Sequence, residues 1–113
     1  MIARKNRFRG HNSVSKVRGK PVHLQGFKIF FAKNPRRQDY RMAVVVSKKT
    51  EKSAVSRNRI RRRFYEAVRK SRLADGKSLD LVFVVQDPNL AKADWADIVS
   101  EIEKGFKKIT DHS

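Results

Sequence analysis

The chain has 113 residues, enough for one domain with a modest core. Its 28 Lys and Arg against 11 Asp and Glu give a formal net charge of +17, far more than solubility requires, and the natural counterpart of such a surplus is a polyphosphate, so nucleic acid is the first partner to consider. Cysteine is absent, which excludes a disulfide framework and thiolate metal ligands, and no apolar run approaches the roughly 20 residues that span a bilayer, so no membrane association is expected.

The charge is unevenly placed. Residues 1 to 72 hold 23 basic and 3 acidic side chains, net +20, whereas residues 73 to 113 hold 5 basic and 8 acidic ones, net −3. The binding surface therefore belongs to the first two thirds, and the remainder reads as scaffold. No repeat or low-complexity segment divides the chain, so a single nucleic-acid-binding domain over 1–113 is expected, with residues 1–10 as a flexible basic arm. That arm, MIARKNRFRG, lacks the apolar stretch of a secretory signal, and a cytoplasmic location is the expectation.

Residues 1 to 21 are broken by Gly10, Gly19 and Pro21, leaving a short helix candidate over Asn12 to Arg18. From Val22 the chain alternates as a strand does, with Val22 and Leu24 and then Phe27, Ile29 and Phe31 on one face; the parity changes at Gly26, which predicts a β-bulge. Asn34 to Asp39 is a polar turn, so Arg41 to Val46 is expected to return antiparallel to the first strand as a hairpin. The loop SKKTEKSAVS leads to a helix ending near Ser71, with Ser53 or Ser56 as its N-cap. Within it Ile60, Phe64, Ala67 and Val68 form one apolar stripe that must pack on a sheet.

Asp75-Gly76 marks a turn, and Leu79 to Val85 is almost continuously apolar, as a central strand buried on both faces would be. Asp87-Pro-Asn ends it. A last helix opens at Asp94, has Asp97 in its first turn, and runs to about Ile109 with Trp95, Val99 or Ile98, Ile102, Phe106 and Ile109 as its core face. Its acids lie toward the start and its lysines toward the end, as the helix dipole favours. The order α-β-β-α-β-α predicts an α+β fold, a small mostly antiparallel sheet with helices on it.

The central helix carries the chemistry. Residues 53 to 71 contain seven basic residues against Glu66 alone. Like charges three and four residues apart repel, so this helix is weakened unless a polyanion offsets them. Arginine dominates over lysine, which suits bidentate phosphate contacts and stacking on exposed bases. Asn58 either reads a 2′-hydroxyl or base edge, or only caps the helix. Ser47, Lys48 and Lys49 extend the basic surface, and Phe30, on the opposite strand face from Phe27 and Phe31 and two residues from Lys28, is a candidate platform for an unpaired base. His11, His23 and His112 have no second ligand at zinc-site spacing, and the carboxylates are scattered, so neither a zinc site nor a two-metal nuclease is expected.

Arg41-Met-Ala-Val-Val-Val-Ser-Lys-Lys49, Ala54-Val-Ser-Arg57-Asn58-Arg59-Ile-Arg61-Arg62-Arg63-Phe64, Glu66-Ala-Val-Arg69 and Leu79 to Val85 together resemble the protein subunit of bacterial ribonuclease P, over roughly residues 22 to 109. The resemblance implies a fold like the second domain of ribosomal protein S5, with a left-handed β-α-β crossover where general packing rules favour a right-handed one. It also implies an accessory subunit of an endoribonuclease whose catalyst is a large RNA and whose reaction is Mg²⁺-dependent removal of the 5′ leader of precursor tRNA. The isolated protein is then not catalytic, Mg²⁺ is held mainly by the RNA, and no protein partner is required.

Residue by residue, the resemblance places Arg57, Asn58, Arg59, Arg61, Arg62 and Arg69 on the catalytic RNA, and Phe30, Lys28, Ser47, Lys48 and Lys49 at the leader cleft. Two departures stand out. His11 to Gly19 lacks the family's usual aromatic pair, and Gln86 occupies a position where arginine is common. A structural RNA-binding protein of ribosomal type, and an autonomous metal-dependent nuclease, are the competing readings. The second would require clustered carboxylates in the fold.

Overall fold

A computed structural model of the chain describes residues 21–36 and 38–111, the last two as backbone only. The helix expected over Asn12 to Arg18 and the basic arm 1–10 lie outside the described residues. The elements are β1 (Val22–His23), β2 (Phe27–Lys33), β3 (Arg41–Val46), α1 (Ala54–Ser71), β4 (Leu79–Val85), a 3-10 turn (Pro88–Ala91) and α2 (Trp95–Asp111). The class is α+β. The strands form one sheet in the order β1-β2-β4-β3, antiparallel between β1 and β2 and between β2 and β4, and parallel between β4 and β3.

The expected hairpin of the second and third strands does not form, because β4 lies between them. It pairs with β2 from Phe27↔Val85 to Lys33↔Leu79 and with β3 from Arg41↔Asp80 to Val46↔Val85. The physical reason is hydrophobic. Leu81 to Val85 and Met42 to Val46 are apolar runs of equal length, but the first carries Leu81 and Phe83 against Met42 alone, so burying it on both sides removes more surface from water, whereas β3, with Val45 38% exposed, tolerates the edge.

The parity change at Gly26 is a chain reversal, not a bulge. Val22↔Ile29 and His23↔Lys28 are cross-strand pairs, and the Leu24 amide donates to the Phe27 carbonyl at 2.9 Å, leaving Gln25-Gly26 as a two-residue turn. Gly26 has φ of 88°, the left-handed region that a Cβ disfavours. A reversal and a bulge both switch which face the side chains occupy, so alternation alone does not separate them.

One face of the sheet is the core. Phe27, Ile29, Met42, Val44, Val46, Leu81, Phe83 and Val85 are buried beneath Ile60, Phe64, Ala67 and Val68 of α1 and Ile98, Ile102, Phe106 and Ile109 of α2. Phe64 stands edge-on to Phe27 and Phe83 at centroid distances of 5.0 and 5.7 Å. Ser53 is the N-cap of α1, its Oγ accepting from the Ser56 amide at 3.3 Å. At the other end Arg72, at φ of 58°, takes the left-handed cap conformation usually left to glycine.

Trp95 corrects the expected face of α2. It is 38% exposed, and Ile98 rather than Val99 is the buried member of that turn. Trp95 is the first residue of the helix, about one turn ahead of the point where α2 reaches the core, so the packing that buries Ile98 does not reach it.

Tyr40 is buried just before β3, and its phenol is pushed up to about 12 by burial first, then by Asp75 and Asp39. The folded state thus favours the neutral phenol. That contribution is complete below the unfolded value near 10 and is lost as pH rises toward 12. In a Tyr65→Phe variant, absorbance of the remaining phenolate should develop near pH 12 together with unfolding; ionisation near pH 10 with the fold intact would contradict this.

Candidate nucleic-acid interface

Helical geometry fixes where the arginines go. With Ile60, Phe64, Ala67 and Val68 committed to the sheet, steps of 100° place Asn58, Arg62 and Arg69 along the opposite side of α1, with Arg59 on one flank and Arg61 on the other. Asn58, Arg59, Arg62 and Arg69 are exposed, and Arg61 is partly covered. The arginines are therefore held in set directions by a buried stripe, not carried on a loose tail.

Their hydrogen bonds sort them further. The Arg57 guanidinium folds back, one Nη donating to the carbonyls of Glu51 and Lys52 at 3.0 and 2.9 Å, so it ties the preceding loop to α1. Asn58 does not cap the helix, since Ser53 does; its Oδ1 accepts from Arg61 Nη2. Arg69 pairs with Glu66 at 2.7 Å, and this guanidinium is the main reason the Glu66 carboxyl is held well below the usual carboxylate range. Arg59 and Arg62 make no ion pair among the described residues.

Arg63 is the member of the run that sequence reasoning did not single out. It donates to the carbonyls of Leu90 and Ala91 at 3.2 and 2.6 Å and to that of Ala93, closing the end of the 3-10 turn. Its position three residues after Ile60, on the border of the apolar stripe, was the available signal. The 3-10 turn itself, capped by Asp87 Oδ1 accepting from the Asn89 amide at 2.9 Å, was also not foreseen.

The outer face of the sheet forms a second surface. Phe30 lies across from Val82, which pairs in turn with Ala43, and Lys28 lies across from Val84, which pairs with Val45. The Lys28 ammonium is 5.2 Å from the centroid of the Phe30 ring. Lys48 and Lys49 sit in the turn after β3. Ser47 shapes that turn, its carbonyl accepting from the amides of Thr50 and Glu51 at 3.1 and 3.0 Å. Since α1 covers the core face, the two surfaces lie on opposite sides of one sheet, joined by the loop from Ser47 to Ser53.

One end of the outer face is closed by Asp80. It accepts from Arg41 Nε and Nη2 at 3.0 and 2.9 Å and from Asn34 Nδ2 at 3.1 Å, tying the adjoining ends of β2, β3 and β4. The one buried acid among the described residues is thus neutralised beside the candidate RNA surface. Among the described residues no three His, Cys, Asp or Glu side chains are grouped to hold a metal ion. No helix among the described residues is long and apolar enough to cross a membrane.

Comparison with known proteins agrees with this architecture. The chain superposes on the ribonuclease P protein of Staphylococcus aureus with a TM-score of 0.76 at 20% identity, covering 92% of this chain and 94% of that one. It superposes on the ribonuclease P protein of Thermotoga maritima with a TM-score of 0.67 at 24% identity, covering 80% and 83%. At such identities the likeness concerns the fold. No curated protein sequence matches the chain. The sequence model of the family described as Ribonuclease P matches residues 2–110, and with nearly the whole chain matched the protein belongs to the ribonuclease P protein family.

Proposed function

We propose that this chain is the protein subunit of a ribonuclease P ribonucleoprotein. On this reading α1 binds the catalytic RNA and the outer sheet face binds the 5′ leader of precursor tRNA, in the cytoplasm and without a further protein partner. The observation that carries it is the pair of surfaces on opposite sides of one sheet. A basic helix with Arg59 and Arg62 turned outward faces one way, and a sheet face with half-buried Phe30 and Lys28, beside the exposed Ser47-Lys48-Lys49 turn, faces the other.

Such an arrangement suits a protein that sits between two polyanions. Arginines and lysines on both surfaces lower the repulsion that otherwise keeps two phosphate backbones apart unless salt or Mg²⁺ is high. Phe30 supplies a π-face for a single-stranded base, and Lys28 beside it a cation for the adjoining phosphate. Endonucleolytic removal of the leader is then the work of the RNA. The Mg²⁺ it uses is held mainly by RNA phosphates, and no step runs through a protein-bound ion.

Reconstitution tests the reading. With a bacterial ribonuclease P RNA at limiting Mg²⁺, adding the protein should raise the rate of precursor-tRNA cleavage and tighten substrate binding, with the benefit shrinking as Mg²⁺ is raised. Absence of stimulation at every Mg²⁺ concentration would sink the proposal. A structural RNA-binding protein would bind RNA without altering cleavage.

A further inference from the structure

Trp95 is the sole tryptophan of the chain and, with Val45 and Val55, one of three large apolar side chains left exposed among the described residues. An indole is among the most favourable groups to bury, so its place in the open at the head of α2 forgoes packing. Its setting is nonetheless fixed. The Arg63 clamp on the carbonyls of Leu90, Ala91 and Ala93 holds the chain entering α2 against α1. The Lys70 ammonium, from the last turn of α1, stands 5.5 Å from the indole centroid. Arg59, Arg63 and Lys70 recur at i, i+4 and i+11, so the indole continues one flank of the basic helix.

From this geometry we infer that Trp95 and Lys70 form a stacking site for an unpaired base of the RNA that α1 binds, an inference that rests on the reading of α1 as the RNA-binding helix. In the free protein the exposed Lys70 side chain covers the ring by a cation–π contact. When RNA docks, a phosphate draws the ammonium away and the base takes the ring face. Asp94 and Asp97 are exposed at the same end of α2 and put negative charge near it, which disfavours a bare phosphate or a duplex backbone there and leaves a base presented face-on as the fitting ligand.

Because Trp95 is the sole tryptophan, its emission reports on this site alone. Binding of fluorescently end-labelled ribonuclease P RNA, followed by anisotropy, should be accompanied by quenching of the indole and reduced access of acrylamide to it. Trp95→Ala should weaken binding roughly 5- to 100-fold without changing the salt dependence, since stacking releases no counterions, and Trp95→Phe should recover part of the loss. RNA binding with unaltered emission and acrylamide access would overturn the inference while leaving α1 as the RNA-binding helix. No RNA binding at all would overturn both. Should Trp95→Ala fail to fold, emission of the unmodified protein and affinity of Lys70→Gln decide, the latter expected to bind more weakly.

Discussion

Replacing Arg59 and Arg62 together by alanine should weaken binding to the catalytic RNA by about 60-fold near 0.1 M salt and by almost nothing near 1 M, because each lost phosphate contact removes about 0.9 from the slope of log K against log salt. Two features make this pair the sharpest test. Both side chains are exposed on a helix anchored from its other face, and neither makes an ion pair among the described residues. Arg57 is a poorer choice, since its guanidinium holds the carbonyls of Glu51 and Lys52 and its loss would also loosen the loop. Stability should shift by no more than about 0.5 kcal/mol, since the two exposed side chains are lost without breaking an ion pair among the described residues and one like-charge pair three residues apart is relieved. Binding isotherms across a salt series, with melting curves alongside, give the result. An unchanged slope would assign the outward face of α1 to structure.

Phe64→Ala should be the most damaging single substitution in the core, at about 3–5 kcal/mol. Phe64 is fully buried and joins α1 to β2 and β4 through its contacts with Phe27 and Phe83, so truncation opens a cavity where three elements meet. Against a total of about 5–15 kcal/mol for a domain, that is a large share, and the melting temperature should fall by about 15 °C. Phe30→Ala is the matched control. It removes the same ring from the outer face, so melting should move by a few degrees at most while leader binding weakens. A small shift for Phe64→Ala would mean that the α1 stripe is not the anchor described above.

Much of this was legible in the sequence because each signal was local. The period of Ile60, Phe64, Ala67 and Val68 required a helix with one buried face, and Ser53 lies where such a helix needs its cap. The two-sided apolarity of Leu79 to Val85 required a central strand. That last reading already conflicted with a β2–β3 hairpin, since a central strand needs a neighbour on each side. Proximity in sequence favours the hairpin, and the sheet obeys burial instead. At the interface, exposure and direction of the arginines followed from the helix period, but their individual duties did not. Arg57 and Arg63 are taken up by backbone carbonyls of loops whose paths depend on the whole fold, and Asp80 finds Arg41 and Asn34 only once three strand ends are side by side. Trp95 misled because its size argues for burial while its place at a helix start decides otherwise.

The insertion of β4 between β2 and β3 has a consequence for how the protein is made. As the chain leaves the ribosome, β2, β3 and the arginine helix emerge first, yet β2 and β3 have no direct pairing with each other and α1 has no finished sheet to rest on until Leu79 to Val85 arrives. Up to that moment the emerging segment is a strongly cationic, unassembled polymer, with a net charge of +20 over residues 1 to 72. One apolar strand, late in the sequence, thus sets the time at which a charged chain becomes a selective surface. A chain halted just before Leu79 should bind RNA without discrimination.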